Sequence, residues 1–207
     1  MSAPASAALH PLVRAAGREG ELPGWARCGE ARRAHVARVA ELMERWAEAL
    51  DLPERDRIRW RAAAFLHDAL RDADPGELRG PAGPDWPAAL LHGPACADRL
   101  REEGVDDEEL LEAVAFHTVG RAGLGRLGRF LYLADFLEPG RSILPDVRER
   151  LRAILPGEAD EALLSTVALR LAHRLEVRGP IRPETVGLWN ELVERAGGER
   201  REGGEGR

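Results

Sequence analysis

Apolar positions along the chain recur three and four residues apart, which is the spacing of one face of an α-helix. In the stretch from Glu30 to Leu50, His35 lies within such an apolar stripe, four residues before Val39. No segment alternates convincingly with the period of two that predicts a half-buried strand. The pattern predicts helices over these approximate ranges: 30–50, 53–70, a helix that contains 90–92 and ends at 104, one that is capped by Asp106 and contains 110–117, 127–137, 158–177 and 183–196.

These elements predict an all-α fold, a single-domain bundle of seven or eight helices around one core. Residues 29–196 would form this domain. Residues 1–28 are rich in Ala, Gly and Pro and are weakly periodic, which predicts a flexible arm or a short helix. Residues 197–207 are polar and rich in Gly, which predicts a disordered tail.

Composition narrows the class of protein. The chain has 207 residues, 44% of them hydrophobic and 32% charged, which is typical of a globular domain with a real core. The net charge is −6 and the basic residues are dispersed, so no basic stripe predicts nucleic-acid binding. All 30 basic residues are Arg. Any side-chain cation that binds phosphate is therefore expected to be Arg.

The cysteine spacing and the absence of a signal-peptide pattern or long apolar stretch predict the cellular compartment. Its two cysteines are far apart and form no CxxC, which favours a reducing environment. No stretch approaches 18 uninterrupted apolar residues, and the first residues lack the basic start and apolar segment of a signal peptide. We therefore expect a cytoplasmic protein with no membrane contact.

The dipeptide His67-Asp68, at the end of an apolar helix, is the strongest chemical signal. A buried carboxylate is costly unless a positive group meets it. A metal ion satisfies both side chains, because neutral imidazole and carboxylate are common metal ligands. Candidate partner ligands lie before and after this dipeptide: His35, His92, His117 and Asp135.

Each of these residues also has an explanation without a metal. A single His on a helix face is usually an ordinary core or surface residue, and Asp135 could pair with one of the many Arg side chains. The joint pattern favours a metal centre, since His35, His67 and His117 fall at or near the buried faces of three separate predicted helices. Two cations held this way can generate a hydroxide nucleophile and stabilise a phosphoryl group during displacement.

The order His35, His67-Asp68, Asp135 resembles the H…HD…D pattern of the HD-domain metal-dependent phosphohydrolases. The likeness covers about residues 30–195. Three further stretches resemble the YqeK-type subgroup, described as symmetrical bis(5′-nucleosyl)-tetraphosphatases: Leu90-Leu-His-Gly93, Ala115-Phe-His-Thr-Val-Gly120 and Leu133-Ala-Asp-Phe-Leu-Glu-Pro-Gly-Arg141.

This resemblance implies two divalent metal ions, with iron as the usual metal and Mn or Zn as alternatives. It implies that one ion is held by His35, His67, Asp68 and Asp135. The second would be held by His92 and His117, with Asp68 bridging the two. Phosphate contacts are implied for Arg71, Thr118 and Arg141, and catalytic roles for Asp68 and Arg71. Arg71 and Arg129 stand where the family commonly has Lys, and Val36 where it commonly has Ser.

The implied reaction is attack of a metal-bridging hydroxide on diadenosine tetraphosphate, which gives two ADP. Two alternatives remain open at this point. The same centre could serve a nucleotidase or a general nucleotide phosphohydrolase. Alternatively, the chain could be a non-catalytic sensor domain that binds metal and nucleotide. The sequence also leaves open the metal, the physiological substrate and whether the chain forms a homodimer.

Overall fold

A computed structural model describes residues 8–78 and 86–202, and within these ranges the chain is helical and contains no strand. The all-α prediction is confirmed. A short 3₁₀ helix, Ala88–Leu90, precedes α4. Nine α-helices are present in the described ranges: α1 Pro11–Glu19, α2 Glu30–Ala49, α3 Glu54–Leu66, α4 His92–Glu102, α5 Glu108–Phe116, α6 Arg126–Leu137, α7 Pro145–Ala153, α8 Ala159–Glu176 and α9 Pro183–Glu202.

Helix α6 is the centre of the bundle. It contacts α2, α3, α5, α7 and α8. Nine of its twelve residues are buried, including the large residues Leu127, Tyr132 and Leu133. A helix that is apolar all round is stable only inside a core. This position explains how Asp135, in the last turn of α6, comes to lie inside the protein.

Small residues let the neighbouring helices approach α3. Ala62, Ala63 and Ala64 are fully buried in the C-terminal half of this helix. Helices α1 and α2 both pack on α3. The close packing brings the end of α3, and with it His67-Asp68, against the other helices of the core.

Residues 11–19 differ from the flexible arm predicted for 1–28. They form α1, with Pro11 in its first turn and Gly20 in the left-handed conformation after its end. Val13 and Ala16 are buried in the core. A Pro at the start and a Gly just past the end are ordinary helix signals, so the short-helix alternative was correct here. Residues 1–7 lie outside the described ranges.

Three further details of the helix prediction are corrected. The bundle has more helices than the predicted seven or eight, because α7 as well as α1 was not counted. The N-cap of α5 is Asp107 and not Asp106, since Asp107 Oδ1 accepts the Leu110 N–H at 3.2 Å. Helix α9 continues to Glu202, into the predicted disordered tail. Glu and Arg favour helix and offset the two glycines there.

No helix within the described ranges combines the length and hydropathy needed to cross a bilayer.

Candidate metal centre

The predicted ligands come together in the interior. His35 lies in the second turn of α2, and Asp135 lies in the last turn of α6. The others occupy helix ends: His67 follows α3 directly, His117 follows α5 directly and His92 begins α4. All six side chains are buried: His35, His67, Asp68, His92, His117 and Asp135.

Asp68 lies at the middle of this cluster, and its two oxygens face different pairs of imidazoles. Oδ1 is 3.2 Å from His92 Nε2 and 3.4 Å from His117 Nε2. Oδ2 is 3.7 Å from His35 Nε2 and 3.6 Å from His67 Nε2. A carboxylate placed between two pairs of nitrogen ligands has the geometry needed to bridge two cations.

The spacing of the ligand atoms fits bound ions. One potential ligand atom from each of His35, His67 and Asp135 forms a group within 4.8 Å. A second such group consists of His67, Asp68 and His117. Ligands that surround one ion at about 2.1 Å stand about 3 to 3.5 Å apart, so each group needs only a small contraction.

Hydrogen bonds fix the orientation of three imidazoles. His67 Nδ1 donates to Ala64 O at 2.8 Å, and His117 Nδ1 donates to Val114 O at 2.7 Å. His35 Nδ1 lies 3.2 Å from Glu138 Oε1. Since a carbonyl or carboxylate only accepts, each Nδ1 carries the proton and each Nε2 presents a lone pair to the centre.

Two of these inward nitrogens are left without partners. Nε2 of His35 and Nε2 of His67 are buried and form no hydrogen bond. A lone pair that faces a carboxylate is repelled by it, so the cluster requires positive charge between these groups. This donor set therefore fits a divalent metal.

Protonation of His67 or His92 does not supply this charge at neutral pH. Burial lowers the pKa of His67 to about 4 and also lowers the pKa of His92. Burial alone would raise the pKa of the two carboxyl groups, but neighbouring imidazoles, and Arg141 at Asp135, hold the pKa of Asp68 and of Asp135 well below the usual range. The cluster thus combines ionised carboxylates with neutral rings at His67 and His92, which is the protonation state that binds metal.

The residues predicted to bind phosphate border the cluster. Arg141 Nη2 donates to Asp135 Oδ1 at 2.7 Å, and Thr118 Oγ1 donates to His117 Nε2 at 2.9 Å. Arg71 borders the cluster at His92: its Nη1 lies 3.3 Å from His92 Nδ1 and donates to Ala89 O at 2.7 Å.

Arg32 and Glu138 are residues of the site that sequence reasoning missed. Arg32 Nη1 donates to Asp68 Oδ2 at 2.9 Å. Its signal was the spacing of three residues from His35 on one helix, which places both side chains on the same face. Glu138 is buried, receives hydrogen bonds from Arg38 and from the Gly140 N–H, and contacts His35.

A cavity of about 770 Å³ opens beside the cluster. Asp135, Thr118 and Arg141 lie on its wall. Its volume is in the range of small-molecule sites. The two remaining histidines are not part of the centre: His10 caps α1 and His173 is exposed on α8.

Comparison with known proteins gives consistent matches. Residues 32–152 match the profile of the HD domain. Two relatives are named "Bis(5'-nucleosyl)-tetraphosphatase, symmetrical". The protein from Halalkalibacterium halodurans is 30% identical over 161 residues, which is 73% of this chain and 85% of the relative. The protein from Bacillus subtilis is 32% identical over 157 residues, which is 70% of this chain and 83% of the relative.

A solved structure also has the same fold. It is a crystal structure from Clostridium acetobutylicum, described as a predicted HD superfamily hydrolase involved in NAD metabolism. The likeness has a TM-score of 0.70 and 26% sequence identity, and it covers 81% of this chain and 91% of the other.

Proposed function

The chain belongs to the HD-domain family of hydrolases, and we propose that it hydrolyses dinucleoside tetraphosphates symmetrically, giving two ADP from diadenosine tetraphosphate. The relatives with this name, which match most of their own length, support the substrate. The structural observation that carries the proposal is the position of Asp68, with two histidines facing each of its oxygens.

The proposed ligand sets follow this division. His35, His67, Asp68 and Asp135 would hold one ion, and His92, His117 and the bridging Asp68 would hold the second. Such ions lower the pKa of a bound water and neutralise charge on a phosphoryl group. The family resemblance favours iron, while the same ligand types also accept Mn or Zn. Metal analysis of the purified protein tests both number and identity.

The surrounding side chains would bind and orient the phosphates. Arg141 and Thr118 line both the ligand cluster and the cavity. Arg71 would join them, because His92 as a metal ligand would carry its proton on Nδ1 and would not accept a hydrogen bond from Arg71. The guanidinium is then available for a phosphate oxygen, which it binds as a planar fork.

The cavity suits the rest of the substrate. Its wall includes apolar side chains such as Leu90, Ile143 and Leu169 beside the polar ones. This mixture matches a nucleoside followed by a charged chain. Cleavage adds water across one phosphoanhydride bond, and the leaving ADP is already a stabilised anion, so no strong general acid is required.

The test is product analysis. Metal-loaded protein is incubated with diadenosine tetraphosphate under reducing conditions, and the nucleotides are separated by chromatography. We expect ADP alone, with no product from Asp68→Ala and unchanged product from the control Glu149→Ala, an exposed position of α7 that does not line the cavity. ATP plus AMP would overturn the symmetrical register. Hydrolysis of mononucleotides only would overturn the substrate, and bound nucleotide without turnover would indicate a sensor.

A further inference from the structure

Three of the arginines on the wall of the cavity differ in whether they form an ion pair with a carboxylate. Arg141, which follows α6, is paired with Asp135. Arg148 on α7 and Arg170 on α8 also line the cavity. Within the described part of the chain, neither Arg148 nor Arg170 forms an ion pair. The buried carboxylates of the site do form ion pairs with arginines: Asp68, Asp135 and Glu138.

Arg148 is held in place with part of its hydrogen-bonding capacity unused. It is only 6% exposed, and its guanidinium lies 4.0 Å from the centre of the Phe136 ring. Nε donates to Ile143 O at 2.6 Å. Its Nη1 is buried and has no hydrogen-bond partner.

Arg170 also has a guanidinium nitrogen that forms no hydrogen bond. Its guanidinium lies 4.7 Å from the centre of the Tyr132 ring and 5.7 Å from that of Phe136. Arg170 Nη1 and the Tyr132 hydroxyl are both buried without hydrogen-bond partners. Phe136 lies within reach of both guanidiniums and directly follows the ligand Asp135 in sequence, so the unpaired groups lie beside the proposed metal centre.

This arrangement is costly for the protein alone. A buried charge normally has an opposite charge or a full set of hydrogen bonds. The aromatic contacts offset only part of that cost. Burial, and repulsion from the neighbouring Arg141 and Arg170, lower the pKa of Arg148. A bound anion would supply both the missing charge and the missing acceptors.

We propose that Arg148, Arg170 and the Tyr132 hydroxyl form an anion subsite that binds the phosphate groups of a nucleotide on the cavity side of the bond that is cleaved. None of the three belongs to the phosphate contacts that the family resemblance implies. The inference rests on the proposed function for the identity of the nucleotide. The anion chemistry itself rests only on the unpaired groups.

An oligophosphate fits these groups better than a single carboxylate. Each guanidinium presents parallel N–H donors that match two oxygens of a phosphate. Two such forks on separate helices, with Arg141 nearby, can contact successive phosphates of one chain. The Tyr132 hydroxyl adds a neutral donor.

The test measures ADP binding to the metal-loaded full chain by calorimetry. Arg148→Gln and Arg170→Gln are compared with Arg150→Gln, which removes a charge from an exposed position on the same helix as Arg148. We expect each of the first two variants to bind ADP about tenfold more weakly, which is about 1.4 kcal/mol, since each loses charge-assisted hydrogen bonds to phosphate. Arg150→Gln should bind ADP like the wild type.

Further readouts separate an anion subsite from a structural role. Metal content and the melting temperature without nucleotide should stay close to the wild-type values in Arg170→Gln, because Arg170 interacts with Asp135 only at a distance and forms no ion pair with it. KM for the tetraphosphate should rise more than kcat falls. Arg148→Lys keeps the charge and should bind ADP with an affinity between those of the wild type and Arg170→Gln. This variant replaces Arg148→Gln if the latter proves unstable.

The two proposals fail in different ways. Wild-type ADP affinity and KM in both Arg148→Gln and Arg170→Gln would overturn the subsite, whereas two ADP from diadenosine tetraphosphate would leave the proposed function intact. Arginine-dependent ADP binding in a protein that does not cleave the tetraphosphate would overturn the function and support the subsite.

Discussion

Asp68 carries more of the centre than any other single residue, because its two oxygens face the two histidine pairs. We expect Asp68→Ala or His67→Ala to abolish hydrolysis, since each removes a proposed metal ligand. The helical far-ultraviolet circular dichroism spectrum should persist. Glu149→Ala changes an exposed residue of α7 that does not line the cavity, and it should retain full activity. Unchanged turnover in either ligand variant would contradict the proposed ligand sets.

Glu138 contacts His35, so we expect it to orient this proposed metal ligand. Its carboxylate faces His35 Nδ1 and is itself held by Arg38 and the Gly140 N–H. Hydrogen bonds from Arg38 and Gly140, together with the contact to His35, outweigh burial and hold the pKa of Glu138 below its usual value. We expect Glu138→Gln to weaken metal binding about 10- to 100-fold, because such outer contacts orient the ligand.

The measurement for Glu138→Gln is a metal titration at fixed pH, followed by activity at saturating metal. A positioning residue should lower the affinity while excess metal restores most of the turnover. Glu149→Gln, an exposed change on α7, is the control. A metal affinity in Glu138→Gln equal to that of the control would contradict the positioning role.

The sequence predicted residue types better than residue partners. Helical spacing placed His35, His117 and Asp135 on buried faces, and the family resemblance implied the full set of six ligands, which the structure brings together. Glu138 and Arg148 were missed, because their importance depends on contacts that helical periodicity does not encode. Glu138 meets His35 across 103 positions of the chain. Arg148 has a buried Nη1 with no hydrogen-bond partner and forms no ion pair within the described residues, which only the structure shows.

At the scale of elements, the contact between α4 and α5 sets the distance between His92 and His117. Gly93 lies at this contact, where an added Cβ would come within 2.8 Å of Ala115 O and 3.2 Å of His117 Cε1. We expect Gly93→Ala to push the two helices apart, at a cost of about 1 to 3 kcal/mol of folding free energy. The second proposed metal position should lose occupancy first.

Metal stoichiometry and thermal melting check this prediction. The matched control is Gly197→Ala in α9, where an added Cβ meets nothing within 4 Å. There the substitution should stabilise the helix by about 0.5 to 1 kcal/mol, because Ala is the better helix former. Two bound ions and wild-type stability in Gly93→Ala would contradict the packing argument.

Elements were predictable where an apolar stripe was long. Helices α2 and α6 were found because several apolar residues repeat along each face. Helix α7 was missed because only Leu151 and Arg148 of its nine residues are buried, so it has almost no apolar stripe. Its position depends on packing against α6, which is tertiary information.

At the scale of the whole molecule, the proposed metals join α2, α4 and α6 to the ends of α3 and α5. A ligand that binds only the folded state stabilises that state. We therefore expect chelator treatment to lower the melting temperature of the wild type. The melting temperature of Asp68→Ala should respond much less. Equal wild-type melting temperatures with and without chelator would contradict a buried metal centre.

The metal-free protein should also lose stability in mild acid. The pKa values of the buried imidazoles determine the pH range of this loss. His67 has a pKa of about 4 in the fold, below its ordinary value of 6.5, because burial disfavours the charged ring. Between these pH values the unfolded chain binds a proton that the folded chain does not. Falling pH therefore favours unfolding, by up to about 1.4 kcal/mol per pH unit for one histidine.

His92 acts in the same direction, since burial lowers its pKa as well. Asp68 and Asp135 do not oppose this trend, because their folded pKa values are depressed and their stabilisation is lost only below about pH 4. Urea unfolding of chelator-treated protein between pH 7 and pH 4 gives the slope. His67→Gln should flatten it and His173→Gln should not. A slope that is unchanged in His67→Gln would mean that this imidazole is not kept neutral by the fold.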